Sequence, residues 1–220
     1  YIHIVANKEL YSIDDNCGGI DVDIAKNYAF RFGRDHKYKF VDKSIGQFGI
    51  GMKRAFFKIG NAIEVDSVAP TSSFKMKILV DKWLRHPNSW NFNFDSLIEK
   101  QKNELTKTGT NIIIKKLNED TISSFDNPKF ITKLVKEISM EQLYTINKGL
   151  QIKINDQVLV APAITLKYDK EFKPLFWKHS FESGLNVKIL AGVSEDDAEK
   201  GGWYVFCNDR LILAHNQSSE

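Results

Sequence analysis

The sequence predicts an α+β fold, with helices covering one face of a mixed, mostly antiparallel sheet. Three observations carry that prediction. Short runs of alternating apolar and polar residues recur along most of the chain. Segments of helical periodicity are inserted among them and do not alternate with them regularly. The links between successive runs are short, which favours antiparallel neighbours.

The elements follow in order. Residues 1–6 and 9–14 read as two strands joined at Asn7-Lys8. The polar, glycine-bearing break Asp14-Asp15-Asn16-Cys17-Gly18-Gly19-Ile20 ends the second, and Asp21 caps a short helix through Phe30. Residues 31–45 are rich in Lys, Arg and Asp and read as a connection outside the core. A helix then starts near Gly51. Its Met52, Ala55, Phe56 and Ile59 fall at i, i+3, i+4 and i+7, and Gly60 stands where a helix usually stops. Strands are expected at 62–69 and 74–81 around Pro70-Thr71-Ser72-Ser73.

Residues 82–108 carry Trp83, Trp90, Phe92 and Phe94, read as a packing cluster, and their pattern fits no element. A strand follows from Gly109-Thr110 to Leu117. Asn127-Pro128 opens a helix with Asn as N-cap and Ile131, Leu134, Val135 and Ile138 as its buried stripe. A hairpin turns at Asn155-Asp156, and residues 161–180, with Pro162 and Pro174, read as a linker or a crossover to a second domain. A strand at 185–191 and a hairpin over 202–214, folded at Asn208-Asp209, close the chain, with the acidic run 194–199 as a solvated loop. The expected division is 1–160 and 161–220.

Composition narrows the class. The chain has 220 residues, 42% of them hydrophobic and 15 of them Phe, enough for a large core. A net charge of +3 is too small to argue for nucleic acid or a membrane surface. Cys17 and Cys207 form no metal-ligand spacing and fit a reducing, cytoplasmic compartment. No apolar run approaches the 18 or so residues of a membrane span. The chain opens within an apparent strand, Tyr1-Ile2-His3-Ile4-Val5, so further sequence is expected before Tyr1.

Two stretches carry chemistry. In Ser44-Ile45-Gly46-Gln47-Phe48-Gly49-Ile50-Gly51-Met52-Lys53, three glycines lead into a helix start. Free N–H groups there, backed by the positive end of the helix dipole, suit a polyphosphate, and an anion would neutralise Lys53. A tight loop with a solvated lysine explains the same letters equally well. No Gly-Lys-Ser/Thr closes a Walker A loop, and no buried parallel strand precedes the stretch as in a dinucleotide fold. Asp15, at a strand end, could accept from the exocyclic amine of adenine, where guanine offers an acceptor instead. Gly19 would let a base lie against the backbone. Taken alone, an Asp-Asn turn accounts for these residues as well.

Asp15-Asn16-Cys17-Gly18-Gly19, then Gly46-Gln47-Phe48-Gly49-Ile50-Gly51, then Gly109-Thr110 opening a strand together resemble the three motifs of the GHKL ATPase superfamily. That superfamily includes DNA gyrase B, heat-shock chaperones, MutL proteins, sensor histidine kinases and MORC proteins. The glycine loop is worded most like the heat-shock chaperones, while Lys53 is more like MORC proteins and their bacterial relatives. Trp203 to Arg210 resembles, less specifically, a segment of the transducer domain in the MutL and gyrase branch.

The resemblance implies a Bergerat-type α/β sandwich followed by part of a transducer-like domain. It also implies ATP with Mg2+, an ATP-dependent homodimer and a protein client of unspecified identity. The implied nucleotide-binding residues are Asp15, Gly19, Ile20, Gly46, Gln47, Phe48, Gly49, Ile50, Gly51, Lys53 and Thr110. Asp15 would take the adenine amine, Thr110 would support it through water, and Gly49, Ile50 and Gly51 would donate N–H groups to the phosphates. Lys53 would touch phosphate, and residues 21–45 would form the lid.

Cys17 departs from the first motif by replacing a glycine. The Glu-x-x-x-Asn helix that supplies the general base and a magnesium ligand has no counterpart before Asp15 and is expected upstream of Tyr1. The transducer lysine is expected beyond Glu220. No catalytic residue is therefore assigned within these residues. The five scattered histidines give no phosphoacceptor helix, which disfavours a sensor kinase. A nucleotide-gated scaffold without turnover, or a DNA-associated clamp of MORC or MutL kind, stands as the alternative.

Overall fold

A computed structural model describes residues 1–30, 51–85, 93–194 and 201–218. Its centre is an eight-stranded sheet in the order β5-β4-β3-β6-β2-β1-β7-β8. The strands are β1 (Ile2–Ala6), β2 (Leu10–Asp15), β3 (Gly60–Val68), β4 (Ser72–Leu79), β5 (Phe94–Glu99), β6 (Gly109–Leu117), β7 (Ile152–Ile154) and β8 (Gln157–Val158). Every neighbouring pair is antiparallel except β1 with β7, which runs parallel. The α+β reading with a mixed, mostly antiparallel sheet therefore holds.

Register sorts the side chains between the two faces, because directly paired residues point the same way. Ile4, Ile13, Ile112, Val65 and Met76 are successive partners across β1, β2, β6, β3 and β4. They share the face that helices cover. There Val22, Ala25, Phe30 and Phe56 pack with Ile63, Val65, Phe74, Met76 and Ile114 in one cluster. Ile4, Val135, Ile152, Ile154 and Leu159 form a second. Each fully buried side chain of this size contributes on the order of 1.5–3 kcal/mol. The opposite face stays open to water. Its Lys75–Asp66 and Lys77–Glu64 ion pairs join β4 to β3, and Asn111 on β6 donates to Asp14 on β2.

Among the described residues the helices are α1 (Val22–Ile24), α2 (Gly51–Ile59), α3 (Val80–Leu84), α4 (Glu119–Phe125), α5 (Pro128–Glu141) and α6 (Leu143–Asn147), with a π turn over Ala25–Ala29. Both predicted caps form: the Asp21 and Asn127 side chains accept from Asp23 N and Lys129 N.

Several expectations shift. The buried side of α2 is set by Lys53 and Phe56, with Ala55 exposed, so the stripe is rotated from the predicted one. Gly60 is the first residue of β3 and no helix cap. A Cβ there would lie 2.9 Å from Lys115 O and 3.1 Å from Lys116 O, so close passage of β6 demands the glycine. The strand expected to 81 ends at Leu79 and turns into α3. The region 82–108 hides the edge strand β5, and α4 and α6 have no counterpart in the sequence reading.

Beyond residue 160 the chain forms two separate ribbons. In one, β9 (Leu175–Ser180) pairs with β10 (Asn186–Ala191); in the other, β11 (Trp203–Cys207) pairs with β12 (Arg210–Asn216). β9 lies inside the stretch expected to be a linker or crossover. Asn208 and Asp209 both take positive φ, the geometry of the predicted tight turn. This hairpin rests on the helices through Lys148–Asp209, Arg210–Glu141 and an edge-to-face contact of Tyr144 with Phe206. Among the described residues past 160, no side chain is buried.

Candidate functional site

One end of the covered face changes character. On β2, β6 and β3 the apolar row gives way to Asp15, Thr110 and Ser67, which are register partners on adjacent strands. Ser67 is 0% exposed and Thr110 6%. Their hydroxyls are 3.1 Å apart. Ser67 Oγ also accepts from Ile20 N at 2.7 Å and lies 3.4 Å from Gly109 O. A buried hydroxyl must be hydrogen-bonded to offset its desolvation, and this one is.

Two glycines make the convergence sterically feasible. A Cβ on Gly109 would overlap Asp15 O, so β6 can approach the end of β2 only with glycine there. Gly19 has a φ of +70°, and its Cβ would overlap Val68 O and lie 2.9 Å from Ala69 N. Its glycine identity is thus explained by the packing of the 16–20 loop on the end of β3. Gly18, φ +96°, has open space around it.

The carboxylate of Asp15 accepts from Cys17 N at 2.8 Å, closing an Asx turn. Both the turn reading and the acceptor reading of Asp15 are compatible with that geometry, because a carboxylate has roughly four lone-pair positions. Burial raises the Cys17 thiol, and the neighbouring Asp15 charge pushes the same way.

The next residues are stitched to the β3–β4 turn. Val22 N donates to Ser72 Oγ at 3.1 Å, and Ser72 Oγ donates to Asp21 at 2.8 Å. The N–H of Asp23, then the Ser72 hydroxyl, hold the Asp21 carboxyl below its usual range. Asn103 secures the turn itself from the far side, donating to Ala69 O at 2.7 Å.

Gly51 opens α2, where a Cβ would meet nothing. Lys53, in its first turn, is 2% exposed, and its Nζ donates to Ala29 O at 3.1 Å. Burial lowers its pKa. A nearby anion would act in the opposite direction.

The structure therefore gathers Asp15, Gly19, Ile20 and Thr110 at one end of the sheet and puts Gly51 and Lys53 at the start of α2. Gly46, Gln47, Phe48, Gly49 and Ile50 lie outside the described residues. Ser67 was missed by the sequence reading. The available signal was a single hydroxyl on the otherwise apolar side of Ile63-x-Val65-x-Ser67. Among the described residues no cluster of three or more His, Cys, Asp or Glu could hold a metal. No helix among them is long and apolar enough to cross a membrane.

Residues 1–123 match the family described as histidine kinase-, DNA gyrase B-, and HSP90-like ATPase. The chain belongs to that GHKL-type family. The match spans the β1–β6 sheet and all of the Asp15, α2 and Thr110 positions. Family membership points to ATP as the ligand. No curated protein matches the chain.

Proposed function

We propose that this GHKL domain binds ATP with adenine at Asp15 and the polyphosphate at the start of α2. One observation supports this reading most strongly: the Asp15–Thr110–Ser67 row closes one end of the helix-covered face, inside the part of the chain that matches the family. A carboxylate beside buried hydroxyls is an acceptor for an exocyclic amine, which adenine has and guanine lacks at that position. Thr110 supports Asp15, and Gly19 and Ile20 hold the loop bordering the base. Gly46, Gln47, Phe48, Gly49, Ile50 and Gly51 are assigned to the phosphates, with backbone N–H groups as donors.

In this reading Lys53 exchanges Ala29 O for a phosphate oxygen. A buried ammonium gains more from an anion than an exposed one does. Mg2+ would neutralise phosphate charge. The described side chains provide no metal cluster, so no step is assigned to the ion.

The finer parts of the cycle belong to the same proposal. Of the lid expected over residues 21–45, residues 21–30 are packed into the core through Val22, Ala25 and Phe30 and residues 31–45 lie outside the described residues; ATP brings two protomers together. Hydrolysis in a cytoplasmic protein resets them. Between Tyr1 and Asp15 the chain is β1 and β2, which carry no Glu-x-x-x-Asn helix, and no general base is assigned to them. We place the domain boundary near residue 160, where buried side chains end.

Calorimetric titration of the intact protein tests the reading. ATP is expected to bind. Lys53→Ala is expected to weaken ATP by about tenfold or more while leaving adenosine nearly unchanged, as for loss of a charge-assisted contact. Equal losses for both ligands count against the phosphate role, and no binding of ATP to the wild type removes the reading. Phosphate release then separates an ATPase from a nucleotide-gated scaffold.

A further inference from the structure

Ser67 makes no contact that an adenine-binding carboxylate would need directly. It sits one strand further in, fully buried, between a loop amide and Thr110. Its hydroxyl has one proton to give. One lone pair already takes the Ile20 N–H at 2.7 Å. Two acceptors then compete for the proton: Thr110 Oγ1 at 3.1 Å and Gly109 O at 3.4 Å. The shorter contact is within normal hydrogen-bond range and the longer is at its limit.

We propose that Ser67 is a positioning residue that fixes the direction of a hydrogen-bond relay, Ile20 N–H to Ser67 to Thr110, and thereby sets the preference of the Asp15 site for adenine. This inference rests on the ATP-binding reading above. When Ser67 donates to Thr110, the Thr110 proton is released for an acceptor on the side of its other register partner, Asp15. A donor on that side, direct or through one water, orients the Asp15 carboxylate toward the base. A carboxylate held in that orientation accepts the adenine amine and repels the guanine carbonyl oxygen. The same relay ties the 16–20 loop to β3 through Ile20 N, so base recognition and loop placement share one hydroxyl.

The relay distinguishes itself from plain packing by what it should do to discrimination. ATP and GTP affinities of the intact protein are measured by calorimetry for the wild type, Ser67→Ala, Ser67→Thr, Thr110→Val and the Ser67→Ala/Thr110→Val pair. Circular dichroism and thermal unfolding monitor the fold. Ser67→Ala is expected to weaken ATP by about tenfold, the scale of one lost buried hydrogen bond. GTP should be affected less, so the ratio of the two affinities falls. Ser67→Thr keeps the hydroxyl and is expected to restore that ratio. The double variant is expected to be no worse than Thr110→Val, because both remove the same relay.

Wild-type affinity and discrimination in folded Ser67→Ala overturn the proposal, as do losses that simply add in the pair. Should Ser67→Ala fail to fold, Ser67→Cys carries the test. Its thiol is somewhat larger and only a weak donor and acceptor, so discrimination is expected to fall, and wild-type discrimination in that variant overturns the relay. A wild type that binds no ATP fails earlier, and removes the adenine reading and this inference together.

Discussion

On its covered face the eight-stranded sheet carries Ile4, Ile63, Val65, Met76 and Ile114, buried under helices, and at one end the Asp15–Thr110–Ser67 row. On its open face the same strands carry Glu64, Asp66, Lys75, Lys77 and Lys115, paired across neighbouring strands in water. The polar groups of the two faces differ in what water does to them. On the open face solvent screens each charge and competes for each hydrogen bond, so the ladder adds solubility and little stability. On the covered face Ser67 and Thr110 have lost water, and only a complete set of partners makes them tolerable. A polar row in such a place constrains the structure around it and offers a ligand strong, directional contacts.

Substitutions break this contrast in a predictable order. Gly109→Ala should be the most severe, because its Cβ overlaps Asp15 O and the strand end must move. A loss above about 4 kcal/mol by urea unfolding is expected, a value confined to such defined steric faults. Gly51→Ala is its control, since a Cβ there meets nothing, and it should unfold like the wild type. Ile63→Ala, in the middle of the covered face, should cost about 2–5 kcal/mol for lost burial and cavity.

Asp21→Ala should cost less, about 1 kcal/mol, by removing a helix cap. Its pH profile gives the sign. The folded Asp21 pKa lies below its unfolded value, so its contribution is present above the unfolded pKa and is lost as pH falls through the folded one. The difference between wild type and variant should therefore shrink at acidic pH, below about 4. Smallest of all, Lys75→Ala on the open face should leave the unfolding midpoint unchanged in moderate salt. A large effect there would mean that the open face carries more than solvated ion pairs.

The covered face was largely legible in the sequence, because burial enforces alternation in β1, β2, β3, β4 and β6. The cap residues Asp21 and Asn127 and the turn at Asn208-Asp209 were legible because their chemistry is local. What stayed hidden depends on neighbours distant in the chain. Gly60 looks like a helix stop, and only the passage of β6 shows why it is glycine. β5 has the pattern of an edge strand with mixed exposure, and in β9 every residue is exposed, so neither writes a buried alternation. Asp15, Gly19 and Thr110 could be picked out as motif letters. Ser67 could not, since a serine gains its meaning from Thr110, 43 residues away, and from the amide of Ile20.

The central claim is that the polar end of the covered face holds an adenine nucleotide. Its most direct test is calorimetric titration of ATP into the intact protein and its Asp15→Asn variant, with unfolding curves to confirm that both are folded. The account predicts ATP binding by the wild type and none detectable by a folded Asp15→Asn protein. Equal ATP affinity in the two would contradict it.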